Sequence, residues 1–179
     1  MKAYIITSPC SGKTATARHY SHHDGLVIFD HNDLTEMFFD REQITIQSTE
    51  NEKAELLLSY LDAQLFPSCI LGSYMPTNPT LHPEIKIIIV IIPKHIHYFY
   101  TLKRRVRSIL GRIHEGIPLT KCIIPTDRWD EWQNTSAHRD QVKSYATKHN
   151  LPVYRSLQDA ITTLLNRLLA DQKYPPHNS

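Results

Sequence analysis

Glycine is scarce in this chain, with five residues among 179 against eleven prolines, where an average composition of roughly 7% would supply about a dozen. So little of the one residue that takes left-handed backbone without steric cost excludes collagen-like and flexible low-complexity architectures. It also asks a specific role of Gly12, Gly25, Gly72, Gly111 and Gly116. Cysteine is as rare: Cys10, Cys69 and Cys122 are widely spaced and form no CxxC pair. That excludes a disulfide-stapled scaffold or a zinc knuckle and points to a reducing, cytoplasmic compartment. The longest apolar run, Ile87–Ile92, falls far short of the roughly 20 residues of a membrane span. The N-terminal MKAYIITSPC has too short an apolar stretch for a secretory signal, so no membrane partner is expected. The formal charge is only +2, and bulk electrostatics therefore does not carry strong nonspecific binding to nucleic acid.

What is present, 41% hydrophobic and 21% charged residues, fits one soluble globular domain. Tyr4–Thr7 reads as a buried strand entering a Ser-Pro-Cys-Ser-Gly loop, with a helix from Lys13 to Tyr20. Leu26–Phe29 is a second strand ending at Asp30, and Asp33 with Glu36 has capping-box spacing for the next helix. Asn51–Leu65 places Ala54, Leu57, Leu58, Leu61 and Leu65 on one helical face. Cys69–Leu71 reads as a third strand, followed by a loop, Ser73–Glu84, rich in proline. Ile85–Ile92 carries the unbroken Ile/Val signature of a strand buried on both faces. Helices over Lys94–Arg112 and Asp127–Lys148, a strand at Pro152–Tyr154 and a closing helix opened by Ser156 and Asp159 complete the chain. The alternation predicts a three-layer α/β domain with about five parallel strands and right-handed crossovers.

Directly after the first strand stands Thr7-Ser8-Pro9-Cys10-Ser11-Gly12-Lys13-Thr14, which fits GxxxxGK[ST] except for Thr7 at the first glycine. Between a buried strand and a helix N-terminus, such a loop turns successive backbone N–H groups toward phosphate oxygens. Ser8 through Ala15 are therefore the expected ATP-binding segment. Lys13 reaches the β- and γ-phosphates, Thr14 holds Mg²⁺, and Gly12 keeps the approach to phosphate open. Neither DxxG nor NKxD occurs in the chain, so the base-reading apparatus of GTPase switches is missing. The later strands end in Gly72-Ser73 and Pro93-Lys94, without the acid that oligomeric ATPases place there. Asp30 and Asp33 are the carboxylates at an early strand end.

With this loop, with Asp30-His31-Asn32-Asp33 at the second strand end and with Leu71-Gly72-Ser73 at the third, the sequence resembles the small P-loop kinases of nucleosides, nucleotides, polynucleotide ends and small polyols. It resembles the phage polynucleotide kinases in the strand-end motif, and the shikimate- and gluconate-kinase relatives in the glycine after the third strand. The resemblance implies the three-layer P-loop kinase fold over 1–172, a lid-like segment at about 103–125 and a tail at 173–179. It also implies that an aspartate of the strand-end cluster faces the acceptor hydroxyl. Asp33 is the expected general base, with a helix cap as its other reading, and Asp30 an expected partner of substrate and Mg²⁺. Gly72, Ser73 and Tyr74 are the expected acceptor contacts, because ligands bind at strand C-terminal ends in α/β sheets.

Lys103, Arg104, Arg105, Arg107 and Arg112 crowd one helix. The resemblance makes this region the lid, with Arg104 and Arg107, three apart on one face, stabilising the transferring phosphoryl group. The alternative is an ordinary solvated face. Arg128 is a further candidate, while Trp129 and Trp132 suit core packing or base stacking. His22-His23 and His95-Ile96-His97 form no metal-binding pattern, since residues i and i+2 of a helix point apart. Together these features predict an ATP- and Mg²⁺-dependent kinase acting on a hydroxyl of a nucleotide-like acceptor, including a hydroxymethylated base or a 5′-hydroxyl in DNA. A kinase of a free nucleoside, nucleotide or small metabolite is the first alternative, and an NTPase or nucleotide-binding regulator without an acceptor is the second.

Overall fold

Strand β1 (Lys2–Thr7) runs through the middle of the protein, and Ala3 to Thr7 are all buried. It pairs in parallel with β3 (Ser68–Gly72) on one side and β4 (Ile85–Val90) on the other. Beyond these lie β2 (Val27–Asp30), on β3, and β5 (Val153–Tyr154), on β4. The five strands are all parallel, in the order β2-β3-β1-β4-β5. The computed structural model describes residues 1–20, 25–118 and 125–173, with backbone alone at 125–133 and 172–173. His22, His23, Cys122 and the tail from 174 lie outside the described residues, as do positions 119–124 of the expected lid.

Alternation along β1 divides the core in two. Ala3 and Ile5 face a layer with Ala17 and Tyr20 of α1 (Lys13–Tyr20) and Ile161 and Leu164 of α6 (Leu157–Lys173). Tyr4 and Ile6 face the opposite layer. That layer holds Leu34 and Phe38 of α2 (His31–Asp40), Leu57, Leu58 and Leu61 of α3 (Glu50–Asp62), and Val142 of α5 (Pro125–Lys148). Because parallel strands need crossover helices, both faces are covered, which explains the continuous apolar runs.

The helix starts are set by side-chain caps. Thr49 Oγ1 accepts the Glu52 N–H at 3.2 Å while Glu52 Oε2 accepts the Thr49 N–H at 2.6 Å, a reciprocal box legible as T-x-x-E. Ser156 Oγ likewise accepts the Asp159 N–H at 3.0 Å. Two sequence expectations need correction. Helix α2 starts at His31 with Asp30 as its N-cap, accepting from the Asn32 N–H at 3.0 Å, so Asp33 caps nothing. Leu65 lies beyond the Ala63 cap of α3 and is fully exposed rather than part of its apolar face.

Helix α4 (Lys94–His114) buries only His97 and Thr101, and leaves Phe99, Leu102, Val106 and Leu110 exposed. It carries six lysines and arginines and no acidic residue.

Gly72 ends β3 for a packing reason. A Cβ there would lie closer than 3.0 Å to the ring of Tyr4, a buried residue whose hydroxyl donates to the Tyr74 carbonyl at 3.0 Å. The missing side chain thus lets Tyr4 fix the loop that follows β3. Substituting Gly72→Ala is expected to lower stability by about 1–3 kcal/mol, the usual cost of overpacking, measured by urea unfolding.

Candidate active site

The loop after β1 turns at two left-handed residues, Cys10 (φ 58°) and Gly12 (φ 87°). Thr7, at the position where the motif has its first glycine, is instead the last residue of β1, in register with Val90. Its backbone needs no positive φ, so a β-branched residue is suited to it. Around Gly12 there is open space, with no atom within 4 Å of a built Cβ. The buried hydroxyls of Thr7 and Ser11 have no hydrogen-bond partner among the described residues. A buried donor without a partner beside an open loop and a helix N-terminus fits an anionic ligand.

Lys13 is 6% exposed. Its ammonium donates to Ser73 Oγ at 2.8 Å and to the Ser8 carbonyl at 3.3 Å. Burial pulls its pKa down to about 8, against the opposing pull of Asp30 and Cys10, and Arg104 lowers it further. Asp30 is buried as well. It accepts a hydrogen bond from Thr14 Oγ1, and its Oδ1 lies 3.2 Å from His31 Nδ1. Burial alone would raise its pKa, but hydrogen bonds from His31, Thr14 and the Asn32 N–H outweigh that and hold it at about 2. The hydroxyl of Thr14 and the carboxylate of Asp30 are adjacent hard oxygen ligands. They fit Mg²⁺, which takes one or two protein oxygens and completes its shell with water and phosphate.

A cleft of ≈ 650 Å³ opens over the loop, a size suited to a nucleotide-scale ligand. Pro9 through Ala15 form its floor, joined by Ser73, Tyr74, Arg104 and Arg107, so the tertiary structure brings together most of the residues singled out in the sequence. Arg104 reaches back to the loop, donating to Cys10 Sγ at 3.4 Å. Four expected site residues are outside the cleft lining, and the first is Asp30, which is buried and bonded to Thr14. Ser8 is buried beneath the loop and contributes its carbonyl to Lys13. Gly72 accommodates Tyr4 and does not line the cleft. Asp33 is exposed and also outside the cleft lining. The cause is the early start of α2: at 100° per residue, Asp33 is turned away, while His31 and Asn32 face the cleft. The side chains of Arg128, Trp129 and Trp132 lie outside the described residues.

The cleft lining also contains residues that sequence reasoning did not select: His31, Asn32, Glu50, Tyr100 and His138. His31 and Tyr74 meet edge to face with centroids 5.3 Å apart. Burial raises the Tyr74 pKa, assisted by the Glu50 charge, and burial lowers that of His138. The Thr49–Glu52 box was the available signal for Glu50, because it fixes Glu50 in the first turn of α3. His138 had no local signal, as it reaches the cleft only through the packing of α5.

No protein-family model matches the chain, and no curated protein matches it. Among solved structures, shikimate kinase from Aquifex aeolicus vf5 is similar over 97% of this chain and 99% of that chain, at 16% identity and a TM-score of 0.50. An uncharacterized protein from Eubacterium ventriosum is similar over 95% of this chain and 98% of that one, at 11% identity and a TM-score of 0.40. The first likeness shows the fold: a five-stranded parallel sheet with flanking helices, the α/β P-loop kinase fold.

The buried ammonium predicts a signed pH effect. With a folded pKa near 8 and an ordinary value of 10.5, Lys13 opposes folding while charged, and this cost fades as pH rises from about 8 towards 10.5, where the unfolded chain binds more protons. Lys13→Met is therefore expected to be at least as stable as wild type at pH 7 in urea unfolding without nucleotide. Its advantage should shrink as pH climbs through 8 to 10.

Proposed function

We propose that the protein is an ATP-dependent kinase that transfers the γ-phosphoryl group to a hydroxyl of a nucleotide-like acceptor. The observation that carries this reading is a single cleft in which the phosphate loop, the buried Lys13 and two α4 arginines face Glu50, Asn32, His31 and Tyr74. A pure NTPase has no need of the second wall.

Phosphoryl transfer requires mainly alignment and charge neutralisation. The loop amides and Lys13 hold the phosphates, with Ser11 Oγ adding a donor from below. Thr14 and Asp30 would hold Mg²⁺, which would supply neutralisation of phosphate charge when bound. Arg104 and Arg107 stabilise charge on the transferring group. Among the described residues lining the cleft, Glu50 is the carboxylate. It takes the role of general base expected of Asp33, accepting the acceptor proton as attack proceeds. The aromatic faces of Tyr74 and Tyr100 and the amide of Asn32 suit a planar, hydrogen-bonding acceptor such as a nucleoside or a base within DNA.

The test is incubation with γ-labelled ATP and Mg²⁺ against nucleosides, nucleoside monophosphates, small polyols, 5′-hydroxyl oligonucleotides and DNA carrying hydroxymethyl bases, read by mass spectrometry. Label on an acceptor is expected, whereas label released solely as inorganic phosphate overturns the kinase reading. Once an acceptor is in hand, Glu50→Gln should lower kcat by roughly 10²-fold or more. Asp33→Asn should stay within about twofold of wild type, because its side chain is outside the cleft.

A further inference from the structure

Helix α4 supplies Tyr100, Lys103, Arg104 and Arg107 to the cleft, yet it sinks only His97 and Thr101 into the protein. These two are linked, since Thr101 Oγ1 donates to the His97 carbonyl at 2.9 Å. His97 itself is 1% exposed. Its Nε2 lies 2.8 Å from the Pro9 carbonyl and 3.4 Å from Ser8 Oγ. A carbonyl can only accept, so Nε2 carries the proton and the ring donates to the phosphate loop. Burial lowers the pKa of the ring, the Pro9 carbonyl opposes that, and the charges of Arg139 and Lys13 lower it further.

The Pro9 carbonyl immediately precedes the left-handed Cys10, so a donor there holds the peptide that begins the turn. Residues 97, 104 and 107 follow helical spacing on the side of α4 facing the loop. The Arg104 contact to Cys10 Sγ, at 3.4 Å, lies two turns beyond His97. We infer that His97 is a positioning residue that fixes the phosphate-loop turn and sets the α4 cations at a defined distance from it, through its hydrogen bond to the Pro9 carbonyl. Its effect on nucleotide binding rests on the kinase reading above, whereas its effect on the loop does not.

The experiment combines hydrogen exchange of loop amides 8–16 in the protein alone with titration of Mg-ATP. It uses His97→Gln, whose amide can place a donor where Nε2 stands, and His97→Asn, whose amide is one bond too short. The expected result is at least tenfold faster loop exchange and about tenfold weaker Mg-ATP binding in the Asn variant. The Gln variant should stay within about threefold of wild type on both measures. Equal behaviour of the two variants, whether both intact or both impaired, overturns the inference. A wild type that binds no Mg-ATP, with exchange still faster only in the Asn variant, sinks the kinase reading and leaves the positioning role standing. If an acceptor is known, the Asn variant should raise the KM for ATP while leaving the KM for acceptor unchanged, a separation that general loss of structure would not give.

Discussion

The buried ammonium of Lys13 is the constraint around which the cleft is arranged. A cation removed from water requires compensating oxygens, and the fold brings them from three separate parts of the chain. They are the Ser8 carbonyl at the start of the loop, Ser73 Oγ after β3, and the nearby carboxylate of Asp30 at the end of β2. Because β3 lies between β1 and β2, these groups converge at the same edge of the sheet. Glycine at position 72 then has its consequence, since the close packing of Tyr4 against it anchors the segment that carries Ser73 and Tyr74.

Charge in the site is divided between its two walls. On the α4 side stand Lys103, Arg104 and Arg107, with Lys13 on the floor. On the other stand Glu50, Asn32, His31 and Tyr74, together with His138 from α5. Asp30 sits below, held ionised by the hydrogen bonds it accepts and tied to Thr14. That separation suits a reaction in which a polyanion and a hydroxyl must be aligned without mutual repulsion. It also explains why the attachment of α4 matters: a helix with few buried residues carries much of the positive wall.

Much of this was legible in local patterns. The loop between β1 and α1 was readable because a phosphate-binding motif is a run of contiguous residues, and the strands were readable because burial on both faces leaves continuous apolar runs. Thr7 looked irregular in the motif, yet it belongs to β1, where a β-branched residue is at ease. Asp33 stands outside the cleft lining for a small geometrical reason. Asp30 and Asp33 can both cap by residue type, and selecting the first turns the second out of the cleft. Glu50 and His138 were missed because their value comes from helix packing, which a linear motif does not encode.

The parallel sheet, the strand–loop–helix motif at Thr7–Thr14 and the cationic character of α4 are all written in local sequence, since each follows from the pattern of a few consecutive residues. Tertiary structure alone decided which carboxylate faces the cleft, why Gly72 cannot carry a side chain and how His97 meets Pro9. Thr14 and Asp30 are 16 positions apart and His97 and Pro9 are 88 apart, and only the crossovers of a parallel sheet bring such residues together.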